Sequence, residues 1–150
     1  MTFALSKRSL IKLQGVHQDL VAIVSEAIAI SPVDFRVGEG LRTLERQREL
    51  FAAGKSQTMK SRHLTGHAVD LVAIYHGEVS WDMELYKEIN KAMFEAVEDL
   101  NSLKRGVTDE DADEKPRGEL GQLYSLEWGG NWTTFKDGPH WQLPWAKYPA

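Results

Sequence analysis

The sequence predicts an α+β fold in which helices pack against a small antiparallel sheet. Two long segments repeat apolar residues at three- and four-residue steps, which is typical of helices that bury one face. Short alternating or apolar runs, with the length of strands, lie between and after these segments. The last two runs are separated by glycine- and proline-containing turns, as in a hairpin, and this favours antiparallel pairing.

The first part of the chain predicts a helix followed by a strand. Residues 9–30 carry the first apolar repeat, and we expect a break near Gly15. Pro32 ends this segment because proline disfavours helical geometry at the residue before it. Residues 33–40, VDFRVGEG, alternate apolar and polar side chains and predict a strand.

The middle of the chain predicts a helix, a loop, a strand and a second helix. The first helix follows Thr43, a suitable N-cap, and ends at Gly54. Residues 55–66 are polar and predict a loop, and residues 67–75, HAVDLVAIY, predict a strand with a short return strand behind it. Residues 82–100 carry the clearest apolar stripe of the chain and predict its longest regular helix.

The last part of the chain predicts a charged insertion followed by a small hairpin. Residues 101–121 are rich in charge and poor in apolar side chains, which indicates an exposed loop. QLYSLEW and HWQL then predict two short strands. Because no internal repeat or linker interrupts the pattern, residues 1–150 are expected to form a single domain.

Composition and charge narrow the class of protein. A chain of 150 residues with 42% hydrophobic content suits one packed core. The absence of cysteine excludes disulfides and thiolate sites, so a metal would need His, Asp or Glu ligands. A net charge of −4 argues against nucleic acid as a partner. No apolar run suits a transmembrane helix or a secretory signal, so we expect a cytoplasmic origin and no stable membrane association.

Asp70 raises the main question about function. It lies between Val69 and Leu71 in an apolar strand, where an unpaired carboxylate is costly, so it must be paired, protonated or bound to a metal. His63 and His67 lie a few residues before it. Two histidines and one carboxylate are sufficient protein ligands for zinc.

Two ligand arrangements can be built from these residues. In the first, His63 and His67 form an i, i+4 pair on a helix, as in HExxH proteases. This fails because leucine stands where the catalytic glutamate is required, and glycine directly before the second histidine weakens a helix. In the second, His63 from the loop and Asp70 from the strand are joined by the distant His140.

The segment KDGPHWQL adds a second group of candidate residues. Asp137 lies three residues before His140, so an unligated carboxylate and a metal-binding imidazole can converge on one water. Each motif also has a structural interpretation, because single histidines often lie at the surface or in the core and DGPH suits an ordinary turn. The occurrence of both, with a carboxylate in an apolar strand, favours a metal site.

Three segments resemble the zinc D-alanyl-D-alanine carboxypeptidase and L-alanyl-D-glutamate endopeptidase family, which has the Hedgehog/D-Ala-D-Ala peptidase fold. SRHLTGHAVDL (61–71) resembles its Ser-x-His-x-x-Gly-x-Ala-x-Asp signature, and GLRTLERQRELFAAGKS (40–56) its arginine-containing block. WGGNWTTFKDGPHWQL (128–143) resembles the closing segment of the phage members, which serve as endolysins. The similarity covers residues 3–100 and 123–148.

The resemblance implies a role for five residues. His63, Asp70 and His140 match the ligands of a single zinc ion, and Asp137 matches the general base. Arg42 matches an arginine that contacts substrate and stabilises the developing oxyanion, for which a guanidinium is well suited.

Further contacts with substrate are expected around these residues. Ser61 matches the signature serine and is expected to shape or line the site. His67 occupies a variable position of the pattern, so we expect it to contact substrate and not the metal. Trp132 is expected to contact substrate as well, although for Trp128, Trp132 and Trp141 stacking on substrate and packing in the core both remain open.

Two departures from the family pattern stand out. Asn131 replaces an aspartate of the phage pattern, at a position with no implied zinc role. The insertion contains DEDADEKPRGEL, in which aspartates occupy the first three ligand positions of an EF-hand loop. The sixth position is glutamate instead of glycine and the twelfth is leucine instead of glutamate, so a calcium site and a solvated charged loop both remain open.

The leading functional hypothesis is a zinc metallopeptidase that cuts the L-alanyl-D-glutamate bond of peptidoglycan stem peptides, acting as a monomeric phage endolysin. A holin would release it from the host cytoplasm to the cell wall in the periplasm. One alternative is a D-alanyl-D-alanine carboxypeptidase or dipeptidase on the same site, since cleft shape sets the scissile bond. The other is a non-catalytic, zinc-containing wall-binding module.

Overall fold

A computed structural model of the chain describes residues 2–56, 58–105, 123–134 and 136–149. It confirms the α+β prediction, because helices pack against one five-stranded sheet whose strand pairs are all antiparallel. The helices are α1 (Lys7–Lys12), α2 (Gln18–Ile30), α3 (Leu44–Ala52) and α4 (Met83–Arg105). The strands are β1 (Asp34–Glu39), β2 (Ala68–Tyr75), β3 (Glu78–Ser80), β4 (Glu127–Trp128) and β5 (His140–Gln142).

The sheet is organised around β2. Strand β1 pairs along one side of β2, whereas β5 and β3 pair with opposite ends of its other side, and β4 lies beyond β5. This register places Asp70 between Glu39 of β1 and His140 of β5. Since directly opposite residues share a face of a sheet, three adjacent strands present a polar row on one surface.

The opposite face of the sheet supports the hydrophobic core. Val69, Leu71 and Ala73 of β2 are fully buried and alternate with Asp70 on the other face. Helices α2 and α4 pack together over this apolar face. This arrangement explains how a carboxylate lies within an apolar run without entering the core.

Helix α4 extends to Arg105, five residues beyond the predicted end at residue 100. The helix therefore occupies the first five residues of the stretch in which the insertion was predicted. The Asn101 side chain accepts a hydrogen bond from the Tyr124 backbone N–H at 2.7 Å and donates to its carbonyl at 3.1 Å. This contact connects the last turns of the helix to the segment that leads to β4, which the local sequence could not reveal.

The predicted break near Gly15 is present, and the predicted loop at residues 55–66 contains a short helix. Helix α1 ends at Lys12 and α2 begins at Gln18, with Gly15 at a positive φ of 82° between them. The loop includes a 3₁₀ helix at Arg62–Thr65.

No helix of the described ranges is long and apolar enough to cross a membrane.

Candidate metal centre and active site

Three side chains from distant parts of the chain meet at the polar face of the sheet. His63 comes from the 3₁₀ helix, Asp70 from β2 and His140 from β5. One carboxylate oxygen, Asp70 Oδ1, lies 3.1 Å from His63 Nε2 and 3.2 Å from His140 Nδ1. The candidate ligand atoms all lie within 4.8 Å of one another. Within the part of the chain that the structure describes, this is the group with the geometry of a metal site.

Local backbone structure explains how His63 reaches the group. Ser61 caps the 3₁₀ helix by accepting a hydrogen bond from the His63 backbone N–H at 3.2 Å. Gly66 ends the helix with a left-handed φ of 76°, and a side chain there would collide with the backbone of Gly15. The signature serine and glycine therefore turn the chain so that His63 and Asp70 lie on the same side.

Hydrogen bonds to the outer nitrogens define the tautomer of each histidine. His63 Nδ1 donates to the carbonyl of Gly40 at 2.8 Å, so its Nε2 keeps a lone pair. His140 Nε2 donates to Gln142 Oε1 at 2.8 Å, and the Gln142 amide nitrogen donates in turn to Glu127 Oε2 at 2.6 Å. His140 Nδ1 therefore also presents a lone pair to Asp70.

The donor set fits a metal ion. Two imidazole nitrogens and a carboxylate oxygen face one another at hydrogen-bond distance, and this contact requires either protons on the ring nitrogens or a metal ion that replaces them. Burial alone would raise the pKa of Asp70, but His140 and His63 outweigh it and hold this pKa well below its usual range. The carboxylate is therefore ionised, as a metal ligand must be. Outer hydrogen bonds of this kind are typical of metal-binding histidines.

Asp137 lies beside this group without belonging to it. Its backbone N–H donates to the Gly129 carbonyl at 2.9 Å, and its own carbonyl accepts from the His140 N–H at 3.2 Å. A side chain at Gly129 would collide with the Asp137 carbonyl, so glycine permits this close approach. Burial, and then the charge of Asp70, raise the pKa of Asp137. A carboxylate in this environment is a stronger base than one in water.

Arg42 lies on the other side of Asp70. Its Nε and Nη2 bind both carboxylate oxygens of Glu39 at 2.6 and 2.7 Å. Its Nη1 donates to Gln47 at 2.7 Å and more weakly to Ser61 at 3.4 Å. Nη2 has a second hydrogen, and Asp70 Oδ2 lies 4.0 Å from this nitrogen, beyond hydrogen-bond distance. One N–H on the side of Asp70 therefore remains available to a substrate oxygen.

A cavity of about 620 Å³ opens over these residues. Its lining includes the three candidate ligands, Asp137 and Arg42, together with the loop that follows α3. Two exposed or half-exposed aromatic residues, Trp132 and Trp145, complete the lining. The volume suits a short peptide segment.

The structure brings most of the expected contact residues to this cavity. Ser61 and Trp132 line it, and the Trp132 ring lies 5.1 Å from the His140 ring. His67 does not line it, because its Nδ1 pairs with the Thr65 hydroxyl at 2.7 Å and its ring packs on that of His17. The position of His67 outside the cavity lining therefore does not support the expectation that it contacts substrate, although His67 directly precedes the strand that carries Asp70.

The three tryptophans of the closing segment divide between core and cavity. Trp128 and Trp141 are buried and stack on each other with ring centroids 6.1 Å apart. Their indole N–H groups donate to Gly138 and Asn90 within the fold. Core packing therefore accounts for these two, and Trp132 alone of the three lines the cavity.

Several residues of the site were not predicted from the sequence. Gln142 has a detectable signal, because it lies two residues after His140 on a strand and so shares its face. Glu39 occupies the end of a predicted strand, but its pairing with Arg42 depends on the turn between them. Gln47 and Trp145 carry no local signal. The candidate calcium ligands Asp109, Asp111 and Asp113 lie outside the described residues.

Comparisons with known proteins agree on one family. Residues 1–120 match the family model for phage L-alanyl-D-glutamate peptidase. The L-alanyl-D-glutamate peptidase of Escherichia phage T5 is 32% identical over 104 residues, which cover 67% of this chain and 76% of that protein. The Bacillus subtilis peptidoglycan L-alanyl-D-glutamate endopeptidase CwlK is 26% identical, covering 85% of this chain and 75% of that protein.

A solved structure extends the similarity to the closing segment. The crystal structure of the Serratia marcescens L-Ala D-Glu endopeptidase ChiX matches with a TM-score of 0.77 and 44% sequence identity. The match covers 100% of this chain and 95% of that one. It therefore includes the segment with Asp137 and His140, which lies beyond the end of the family model.

Proposed function

Since this chain belongs to the phage L-alanyl-D-glutamate peptidase family, we propose that it hydrolyses the L-alanyl-D-glutamate bond of peptidoglycan stem peptides as an endolysin. One observation carries the proposal: His63, Asp70 and His140 form a group that could hold a metal ion, while Asp137 lies outside this group in the same cavity. A hydrolase with a single metal ion needs this separation of ligands from base.

We assign the metal as one zinc ion, held by His63 Nε2, His140 Nδ1 and an oxygen of Asp70. Two nitrogen donors and one carboxylate are a usual zinc ligand set, and such a set would leave zinc able to bind water or substrate as well. When bound, zinc supplies Lewis acidity, which acidifies a water and polarises a carbonyl. The outer hydrogen bonds from Gly40 and Gln142 keep the histidine lone pairs directed inward.

Asp137 acts as the general base in this assignment. Its raised pKa makes it a better proton acceptor than an exposed carboxylate, and its place in the cavity lets it reach the attacking water. Asp137 takes the proton from that water as the oxygen attacks the scissile carbonyl. It then donates the same proton to the nitrogen of D-glutamate as the peptide bond breaks.

Arg42 stabilises the negative charge that develops on the carbonyl oxygen. Its guanidinium is held rigidly by Glu39 and Gln47, so its remaining Nη2 hydrogen can be directed at the oxyanion without reorganisation. Ser61 supports the arginine and shapes the cavity. Trp132 supplies an apolar wall against which the peptide or its sugar can pack.

We further propose that residues 1–150 act as one catalytic domain and as a monomer, reaching the periplasmic cell wall after holin-mediated release from the host cytoplasm. The phage source of the T5 relative supports the proposed release from a host cell. The single hydrophobic core of the described residues supports one catalytic domain. No partner other than the stem peptide is required by the site.

Mass spectrometry of digested peptidoglycan tests the proposed bond. Purified Gram-negative peptidoglycan treated with the zinc-loaded protein should yield glycan chains that keep only L-alanine, and free peptides that begin with D-glutamate. Loss of terminal D-alanine alone would instead identify a carboxypeptidase. An intact wall to which the protein binds would identify a binding module.

Two aspartate variants test the division between ligand and base. Asp70→Ala should lose both metal and activity, whereas Asp137→Asn should keep stoichiometric zinc and lose about 10²- to 10⁴-fold in kcat. Metal content measured by elemental analysis, beside the peptidoglycan assay, separates the two outcomes. Full activity of Asp137→Asn would overturn its assignment as base.

A further inference from the structure

We propose that Lys55 and Lys60 form a carboxylate-binding subsite in the cavity, which selects stem peptides whose D-glutamate retains a free carboxylate. Both lysines lie on the loop that follows α3 and line the same cavity as the metal ligands. The inference rests on the proposed function, since it concerns the part of the substrate that leaves with the amine. The preference for a free carboxylate would then come from these lysines and not from the candidate metal ligands, Asp137 or Arg42.

The charge balance of the cavity favours an anionic substrate. The protein as a whole carries a net charge of −4. The described cavity lining nevertheless has four basic residues against three acidic ones, and a bound divalent cation would add to the positive side. The basic residues are Arg42, Lys55, Lys60 and Arg62, and the acidic residues are Glu39, Asp70 and Asp137. A positive cavity in an acidic protein concentrates anions at the site.

The two arginines of the lining are already engaged. Arg42 forms a bidentate ion pair with Glu39. Arg62 is 2% exposed, and its guanidinium donates to the carbonyls of Leu143 and Tyr148 and stacks against Trp145. Its Nη1 has no hydrogen-bond partner, but it is buried and so closed to a ligand in this conformation.

Lys55 and Lys60 differ from the two arginines in their exposure and in their lack of partners within the described ranges. Both are exposed, and neither ammonium group forms an ion pair or a hydrogen bond with any residue in the described ranges. Their charges are therefore uncompensated within that part of the protein. A lysine ammonium is a compact charge on a flexible stem, which suits a single carboxylate approaching from solvent.

The loop that carries the lysines is connected to the catalytic residues by Gln47. This glutamine is fully buried, and its Oε1 accepts from Arg42 while its Nε2 donates to the Ser56 hydroxyl at 2.9 Å and to the Thr58 carbonyl. The backbone N–H groups of Lys55 and Ser56 both donate to the Leu50 carbonyl. These bonds fix the loop relative to Arg42, and through it relative to Asp70.

The chemistry of the substrate supplies a carboxylate at the required place. A glutamate whose nitrogen forms the scissile bond has two carboxyl groups, and at most one of them continues the peptide. The other remains a carboxylate close to the leaving nitrogen unless it is amidated. A cationic wall beside the metal group can therefore distinguish the acid from the amide, which has the same shape and no charge.

A pair of synthetic peptides tests the proposal. N-acetyl-L-alanyl-D-glutamyl peptides with a free glutamate carboxylate, and matched peptides with a carboxamide there, are given to the zinc-loaded enzyme. The wild type should show a KM about tenfold lower for the acid. The double variant Lys55→Gln/Lys60→Gln should raise the KM for the acid to that of the amide, with kcat changed less than about twofold.

A double variant with the same charge change provides the control. Lys7 and Lys91 are exposed and lie outside the cavity lining, so Lys7→Gln/Lys91→Gln should keep the wild-type preference. A Lys55→Gln/Lys60→Gln enzyme that retains the full preference would overturn the subsite. Equal loss of preference in the control would also overturn it, since the effect would then come from net charge.

A binding measurement separates this proposal from the proposed function. If the wild type cuts neither peptide, the assigned bond is wrong, and the subsite is then judged by calorimetric titration of zinc-loaded Asp137→Asn with both peptides. Tighter binding of the acid, lost when Lys55 and Lys60 are also replaced, would support the subsite. Equal affinity for acid and amide would overturn it.

Discussion

Gln142 illustrates how a residue outside the ligand set controls the chemistry of a ligand. It shares the face of β5 with His140 and accepts the imidazole Nε2–H, while Glu127 holds the Gln142 amide in the required orientation. The Gly40 carbonyl does the same for His63. In both histidines the outer hydrogen bond decides which nitrogen is available to a metal, so these contacts belong to the candidate metal site.

Replacing Gln142 should weaken metal binding more than it weakens the fold. Gln142→Leu removes the acceptor for His140 Nε2–H, so the ring can rotate or change tautomer, and we expect metal affinity to fall about 10- to 100-fold. Competition with a chromophoric chelator measures this affinity.

Asn90→Ala is the matched control for Gln142→Leu, because Asn90 accepts a hydrogen bond from the neighbouring strand residue, Trp141. This variant should keep the wild-type metal affinity. A Gln142→Leu protein that binds metal as tightly as the wild type would show that the outer hydrogen bond does not set the ligand geometry.

Among the secondary-structure elements, β2 connects the core to the site. Its residues Val69, Leu71 and Ala73 are buried beneath α2 and α4, and Asp70 on the other face meets the candidate ligands His63 and His140. Tyr86 of α4 joins this strand to β3: its hydroxyl accepts from the Ala73 N–H at 3.1 Å and donates to the Ser80 carbonyl at 2.9 Å. The end of β2 farther from the site is therefore fastened to a helix.

Removing the Tyr86 hydroxyl should destabilise the fold without altering the site. Tyr86→Phe leaves the buried Ala73 N–H and the half-buried Ser80 carbonyl without this partner, so we expect the free energy of unfolding to fall by about 1–3 kcal/mol. Urea denaturation with zinc present measures the change, and zinc content per folded protein should not change. Tyr75→Phe, at an exposed tyrosine of the same strand, should cost less than about 0.5 kcal/mol. Equal effects of the two variants would contradict this role.

In the whole molecule, the candidate metal group joins residues that enclose about half of the chain. His63 and His140 are separated by β2, β3, α4 and β4 in sequence, yet both contact the same Asp70 oxygen. The unfolded chain cannot hold three such ligands together, so metal should bind the folded state preferentially. Metal binding and folding are thus thermodynamically linked.

Removal of metal should lower the thermal stability of the protein. At a free zinc concentration about 1,000 times the Kd, linkage predicts about 4 kcal/mol of stabilisation, which corresponds to roughly 10 °C in Tm for a domain of this size. Differential scanning calorimetry with and without a chelator measures the shift. Asp70→Ala should show no zinc-dependent shift in Tm. A wild-type Tm that does not change with zinc would exclude the assigned zinc site.

The sequence by itself determined the elements and the residue types of the site. Apolar periodicity is a property of the local chain, so it placed the two long helices, and an apolar run of strand length placed β2 with Asp70 inside it. The spacing of Ser61, His63 and Asp70 suggested two of the ligands, because the turn at the signature glycine is also local. The third ligand and the family were suggested only when the segments at residues 40–56 and 128–143 were added.

Only the tertiary structure decided which other side chains meet at the site. Contacts between Glu39 and Arg42, or Glu127 and Gln142, depend on strand register and on turns that bring separate segments together. The same packing turned His67 toward His17 and away from the cavity, although it lies near Asp70 in sequence. Periodicity specifies the face on which a residue lies, whereas its neighbours on that face are set by how the elements pack.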